Sequence, residues 1–233
     1  MKSQRILLDQ PRYLGDIIFV MAIAQKYASE GYVVDFPLED EYYNIPIQKY
    51  FPNSNINYIR LNEFFDYAKY NGINMITDEK YIYLPLAESW ARGMYKHMKN
   101  KYDSIGLSVN MWRNVIINRD YETENRLFSL LGLNVGDKYN LINENHQKTF
   151  IRVPIHVENE YKNIYMSKID GYSIFDWIGI MVNAQSIHTV GTSLVFLMDI
   201  IISMPSDMHI YRRTDKDHST YNYLLTKKYI YHN

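Results

Sequence analysis

Apolar positions recur along this chain in two periods, and their alternation predicts the elements in order. Residues 5–9 form a short apolar run of strand length, and residues 17–29 carry helical spacing through Ile18, Met21, Ala22 and Ala24. Gly31 is placed to end that helix, and residues 32–36 read as the next strand, which completes a βαβ unit. Residues 56–61 and 81–84 read as strands, residues 63–70 as a short helix and Asn71-Gly72 as its exit, so the first part of the chain predicts a small α/β layer. Residues 94–102 have the pattern of an amphipathic helix with Lys96, His97, Lys99 and Lys101 on a solvated face. The pattern weakens over residues 105–118, where a boundary or crossover fits, and the expected domains are 1–105 and 106–233.

Residues 121–131 read as a helix stopped by Gly132, with Glu122, Glu124 and Arg126 on its wet side, and strand-like runs follow at 139–142, 149–153 and 163–166. The densest pattern is residues 171–199. Ser173 and Asp176 have the spacing of a capping box, and Ile174, Trp177, Ile178, Met181 and Val182 give the helix they open an apolar stripe ending near Asn183. Residues 186–190 read as a buried strand, and Gly191-Thr192-Ser193 turns the chain into a second apolar helix from about Leu194. Residues 208–211 are expected as the last strand and residues 221–228 as a closing helix. No internal repeat or low-complexity segment interrupts this α/β order.

Composition narrows the class. With 233 residues, 47% of them hydrophobic, the chain can build one large core or two small ones. A net charge of -1 supplies no overall basic field, so contact with nucleic acid would need a local patch. The absence of cysteine excludes disulfides and thiolate metal sites and fits a reducing interior. The first ten residues lack the apolar core of a secretory signal, and the most apolar run, LVFLMDIIISM, is short and interrupted by Asp199. A soluble, cytoplasmic protein without a membrane span is therefore expected. The 23 Tyr, together with many Asn, Ile and Lys, have the flavour of AT-rich coding, as in many viral genomes.

Candidate chemistry lies where strands hand over to helices. Residues 10–16 run from the end of the first strand to the first helix, the position at which open α/β sheets keep their ligands. Asp16 in this loop is either a plain N-cap or a group that takes a proton from an attacking hydroxyl, and Gly15 leaves room for a ligand beside it. The Gly191-Thr192-Ser193 turn brings two hydroxyls and unpaired amides to a helix N-terminus, where the dipole favours an anion. It is equally an ordinary cap. His188 is either a hydrogen-bonded core histidine or a site residue at its strand's end. Residues 85–92, with Glu88, Trp90 and Arg92, read as a solvated loop or a pocket wall, and the cations 212–216 as a solvated turn or a phosphate neutraliser. There is no G-x-G-x-x-G, no Walker loop and no H-E-x-x-H.

The first strand with its Gly15-Asp16 loop and helix, followed far downstream by SIFDWIGIMVNAQSIHTVGTS, resembles GT-B glycosyltransferases of the heptosyltransferase and O-fucosyltransferase-like kind in a minimal, viral or phage form. The resemblance implies two small Rossmann-like layers facing across a cleft, the N-terminal one for the acceptor and the C-terminal one for a nucleotide sugar, UDP-type favoured. It implies Asp16 as the catalytic base, an acceptor side built from Arg12, Gly15, Glu88, Trp90 and Arg92, and a donor side built from His188, Gly191, Thr192, Ser193 and Arg212. His188 or Arg212 would add positive charge at the leaving diphosphate. It implies no metal and no cofactor beyond the nucleotide-sugar co-substrate. Heptosyltransferase-like proteins often carry an Asp before the serine aligned here with Ser193, and this chain does not. The acceptor is expected to be a viral glycan or the hydroxymethylated cytosine of phage DNA, reached by base flipping with Trp90 or Trp112 as stacking partners. The competing reading is a non-catalytic nucleotide-binding or interaction module on a degenerate GT-B fold.

Overall fold

The computed structural model describes residues 5–63, 81–86, 94–146, 151–158, 160–213 and 219–232. The expected helix at 63–70 and its Asn71-Gly72 exit lie almost wholly outside these residues, as do Glu88, Trp90 and Arg92. The chain divides into two compact units, Met1–Asn118 and Arg119–Asn233.

In the first unit, β1 (Arg5–Leu8), β2 (Val33–Leu38), β3 (Ile56–Arg60) and β4 (Tyr81–Leu84) pair in parallel in the order β3-β2-β1-β4. The crossover from β1 to β2 is α1 (Leu14–Ser29). Its residues from Ile17 to Ala24 are all buried, which is wider than the single stripe expected of a surface helix. A second layer explains this: α4 (Met94–Asp103) and the 3₁₀ turn Val109–Asn114 cover the side of α1 turned away from the sheet. Phe19 meets Tyr102 edge-on at 5.3 Å and Trp112 at 5.2 Å, and the Tyr102 hydroxyl donates to the Phe19 carbonyl at 2.6 Å. Trp112 is thus a fully buried core residue rather than a stacking platform. The expected boundary at 105/106 falls ahead of this 3₁₀ turn, which packs within the first unit. Gly31, at φ 90, ends α1 as foreseen, with Gly31 N–H donating to Ala28 and Tyr32 N–H to Tyr27 in a Schellman arrangement. Two short helices, α2 (Asp40–Tyr43) and α3 (Ile47–Tyr50), follow β2.

The second unit is a parallel sheet in the order β11-β10-β9-β5-β8, made of β5 (Tyr139–Asn143), β8 (Lys162–Tyr165), β9 (Ser186–Val190), β10 (Met208–Tyr211) and β11 (Ile230–His232). A small antiparallel pair, β6 (Asn145–His146) with β7 (Ile151–Arg152), sits apart from it. Around the sheet run α5 (Tyr121–Leu130), α6 (Ile178–Asn183), α7 (Ser193–Ile200) and α8 (Ser219–Leu224). The helix expected from Ile174 begins instead as a 3₁₀ turn, Ile174–Trp177, before α6. Its capping pair is present, the Asp176 carboxylate accepting from the Ser173 N–H at 2.7 Å and the Ser173 hydroxyl at 2.9 Å.

Three expectations fail here for physical reasons. Glu124 is not on the wet side of α5: it is buried and bidentate to Arg119, at 3.0 Å and 2.5 Å. It also lies where α6 crosses closest, since a Cβ on Gly179 would stand 2.9 Å from its Oε2. Residues 208–211 are not the last strand, because β11 adds to β10 at the sheet edge. The closing helix is accordingly short and gives way to an extended segment held by Asp199. This aspartate, set in the most apolar run of the chain, is buried and accepts from Thr226 N–H at 2.9 Å, Lys227 N–H at 3.0 Å and the Tyr229 hydroxyl at 3.2 Å. Lys227 completes the clasp from the other direction, donating to the Met198 and Ile201 carbonyls at the end of α7.

Removing the acceptor leaves those donors desolvated and unsatisfied, at about 1–3 kcal/mol each when buried. Asp199→Ala is expected to lower the unfolding free energy of the second unit by about 3 kcal/mol or more. Asp199→Asn, which keeps one acceptor oxygen, should lose less than half of that. Urea titration followed by far-UV circular dichroism measures both.

Candidate functional site

All strands of each main sheet run parallel, so their carboxyl ends share one edge, and the ligand-binding gap of such a sheet opens where successive crossovers leave in opposite directions. In the first unit the chain goes from β1 to β2 and β3 on one side and returns to β4 on the other, which puts the switch point between β1 and β4. In the second it goes from β5 to β8 on one side and then to β9, β10 and β11 on the other, which puts it between β5 and β9.

The loop at the first switch point is rigidly tied. Gln10 is buried and donates to the Arg12 carbonyl at 2.9 Å, Glu39 N–H donates to the Pro11 carbonyl at 2.9 Å, and Arg12 pairs with Glu39 at 2.8 Å. Tyr13 then takes φ 66, a left-handed conformation that costs a residue with a Cβ about 1–3 kcal/mol. It occupies the N-cap position of α1, so Gly15 and Asp16 fall inside the first turn. Asp16 is therefore not the cap. Its side chain, one-fifth exposed, faces α4, where Lys101 Nζ stands 3.1 Å from Oδ1 and His97 Nε2 stands 3.5 Å from the same oxygen.

Lys101 corrects the sequence reading most sharply. Expected on a solvated face, it is completely buried, donates to Gln10 Oε1 and, at 2.8 Å, to the Leu86 carbonyl beyond β4, and pairs with Asp16. Burial lowers its pKa, and the negative charges of Asp16 and Asp9 oppose that shift. The signal was present in the spacing: His97 and Lys101 are four residues apart, flanking the buried Met98 and Tyr102 on one stripe. Lys99, also on the expected basic face, is paired with Asp103.

At the second switch point, the end of β9 meets the N-terminus of α7. Thr192 is the N-cap, its hydroxyl accepting from Leu194 N–H at 3.3 Å, while its carbonyl accepts from Val195 N–H at 3.2 Å. Two of the amides expected to face an anion are thus taken by the cap. Gly191 is required for a reason other than a left-handed turn: a Cβ there would lie 2.9 Å from the Tyr221 ring. Asn143, at the end of β5, spans the gap by donating to the Thr189 hydroxyl at 3.0 Å and the Thr192 hydroxyl at 3.5 Å; the sequence reading missed it. The Arg213 guanidinium donates to the Gly191 carbonyl at 3.4 Å, and the Arg212 backbone N–H donates to the His232 carbonyl of β11 at 3.0 Å. Among the described residues no cluster of three His, Asp or Glu is arranged to hold a metal ion.

His188 follows the core reading. Both ring nitrogens are engaged within the sheet, Nε2 with the Ser186 hydroxyl at 2.9 Å and Nδ1 with the Tyr211 hydroxyl at 3.1 Å, and the ring stacks on His209 at 4.2 Å. Burial, reinforced by the neighbouring His209, pushes its pKa down to about 4. It is neutral at physiological pH and brings no charge to a diphosphate.

No protein-family model matches the chain, and no curated protein matches its sequence. Its structure does have relatives. A glycosyl transferase family 9 protein from Veillonella parvula superposes with a TM-score of 0.58 at 10% identity, covering 99% of this chain and 87% of that one. The ADP-heptose lipopolysaccharide heptosyltransferase II of E. coli superposes with a TM-score of 0.55 at 9% identity, covering 98% and 92%. At such identities the likeness is one of fold. The chain has the α/β, two-sheet GT-B fold found in glycosyltransferases.

The His188 environment has a measurable pH signature. Unfolded, the imidazole takes its proton near pH 6.5; folded, near pH 4. Between those values the unfolded state binds more protons, so stability is undiminished above pH 6.5, falls as pH drops and levels off below pH 4, a total of about 3 kcal/mol. Urea titrations at pH 7.5 and 4.5 should show most of this loss in the second unit's transition, and His188→Gln should remove it.

Proposed function

We propose that this protein transfers a sugar from a nucleoside-diphosphate sugar to an acceptor hydroxyl, with Asp16 as the base and the Thr192-Ser193 turn as the seat of the donor diphosphate. The observation that carries the reading is the position of Asp16: a partly exposed carboxylate at the switch point of a parallel sheet, backed by a fully buried ammonium, in a fold that glycosyltransferases share. In the proposed step the acceptor oxygen bonds to the anomeric carbon as its proton passes to the Asp16 carboxylate. The bond from that carbon to the diphosphate breaks, and its electron pair leaves with the nucleoside diphosphate. The hydroxyls of Thr192 and Ser193 and the Arg213 guanidinium would meet the charge developing on the leaving group, which needs no metal in this scheme.

The donor is read as a UDP-sugar. The E. coli relative's ADP-heptose makes ADP-sugars the direct comparison. Of the two acceptors expected, a glycan hydroxyl is favoured over hydroxymethylated DNA. Phosphate-backbone contact needs free cations, and on α4 Lys101 is buried and Lys99 is paired with Asp103. A protein in which Asp16 merely completes a structural ion pair would bind nucleotides and turn nothing over, and turnover separates the two readings.

In a thermal-shift screen, one of UDP, ADP, GDP or their sugars at a hundred times its Kd should stabilise the folded protein by about 2.7 kcal/mol. A flat response to every nucleotide removes the donor assignment. With the donor so identified, Asp16→Asn should lower kcat by about 10²–10⁴-fold while the donor KM stays within about threefold, and a chelator should leave the wild-type rate unchanged. Wild-type turnover in Asp16→Asn would sink the base assignment.

A further inference from the structure

Several charged side chains are buried in this protein, and most are closed off within the fold. Asp35 is taken up by Arg5 and Asn57, Glu124 by Arg119, and Asp199 by the 226–229 segment. The Lys101–Asp16 pair reverses the pattern of Arg5–Asp35 and Arg119–Glu124: here the cation is sealed and the carboxylate is the partner that meets solvent, at the edge where β1 and β4 diverge. Lys101 Nζ stands 3.1 Å and His97 Nε2 3.5 Å from Asp16 Oδ1. Lys101 is fixed by its bonds to Gln10 Oε1 and the Leu86 carbonyl, and Gln10 is itself anchored to the Arg12 carbonyl.

We infer that Lys101 and His97 are positioning residues for Asp16: packed against its carboxylate, they fix the orientation in which it receives the acceptor's proton. The inference rests on the base assignment proposed above. Lys101 transfers nothing; it holds the Asp16 carboxylate in place for the acceptor. The other charged groups nearby are already engaged. Asp9, at the end of β1, accepts from the Tyr83 hydroxyl of β4 at 2.7 Å, and Arg12 is paired with Glu39.

The test is the pH profile of kcat/KM for wild type, Lys101→Met and His97→Gln, a readout that a purely structural role would leave in place. Losing an opposite charge within 4 Å is expected to move the acid limb of Lys101→Met to higher pH by about 1–2 units. The same variant should lose about tenfold in kcat with the donor KM within threefold. His97→Gln, at a partly exposed position, should lower kcat by less than Lys101→Met does, with the donor KM within threefold. The measurement can also be made without turnover, by following the Asp16 side-chain carboxyl by ¹³C NMR in the ligand-free protein and identifying it by its loss in Asp16→Asn. Its titration should move to higher pH in Lys101→Met. An acid limb and an Asp16 titration that stay in place in Lys101→Met, with Asp16→Asn inactive, overturn the positioning role and leave the base assignment standing. Asp16→Asn that turns over like wild type removes the base assignment, and the inference with it.

Discussion

Parallel pairing is the constraint from which the rest of this structure follows. A parallel strand cannot be reached by a hairpin, so every connection in the two main sheets is a crossover, and all strand ends that lead into helices gather on one edge. The first strand of each unit is then flanked on both sides by strands reached in opposite directions, β1 by β2 and β4, β5 by β8 and β9. A gap in the covering layer is forced at that point. Asp16 and Gln10 enter it from the loop after β1, and Leu86 from the chain after β4. Asn143 and Thr192 do the same at the ends of β5 and β9. The crossover helices that flank these gaps pay for the arrangement in sequence: α1 and α7 are apolar nearly all round, because each is enclosed on more than one side.

Burial of charge divides the polar interior into two kinds of site. Where a carboxylate has several donors and no solvent, as at Asp35 or Asp199, the geometry serves the fold, and removing one partner strands the others. A sealed lysine held against a partly exposed aspartate is a poorer stabiliser. The ammonium loses its hydration entirely, while the carboxylate, still touching water, returns only part of that loss through a screened attraction. The retained charge therefore makes better sense as electrostatics directed at Asp16 than as a contribution to stability.

The backbone plan was legible in the sequence because it depends on local apolar spacing, which marked β1, α1, β2, β9 and α7 in nearly their observed places. The failures share one cause, which is that spacing does not say what lies above an element. Glu124 and Lys101 were read as solvated because each sits in a polar-looking stretch. Each is covered, the first by α6 and the second by the β1–α1 loop. Trp112 is buried for the same reason, and β11 escaped notice because three residues at a sheet edge carry no period. Gly191 was noticed correctly and explained incorrectly: its side chain is missing to admit the ring of Tyr221, thirty residues on, and no local pattern encodes that.

Tyr13 shows how the site is paid for in backbone rather than in contacts formed by the carboxylate itself. A relaxed N-cap would satisfy the first turn of α1 with its own side chain, as Thr192 does for α7 and Asp120 for α5. Tyr13 makes no such bond and holds a left-handed φ instead, so that the chain bends into the helix early enough for Asp16 to lie within the first turn opposite Lys101. That conformation persists because its neighbours fix it: the Gln10 amide on Arg12, the Glu39 amide on Pro11, the Arg12–Glu39 pair, and the buried Tyr42 hydroxyl bonded to the Tyr13 backbone. Gln10 links the two halves of the device, since the side chain that restrains the strained loop also receives the ammonium that holds Asp16.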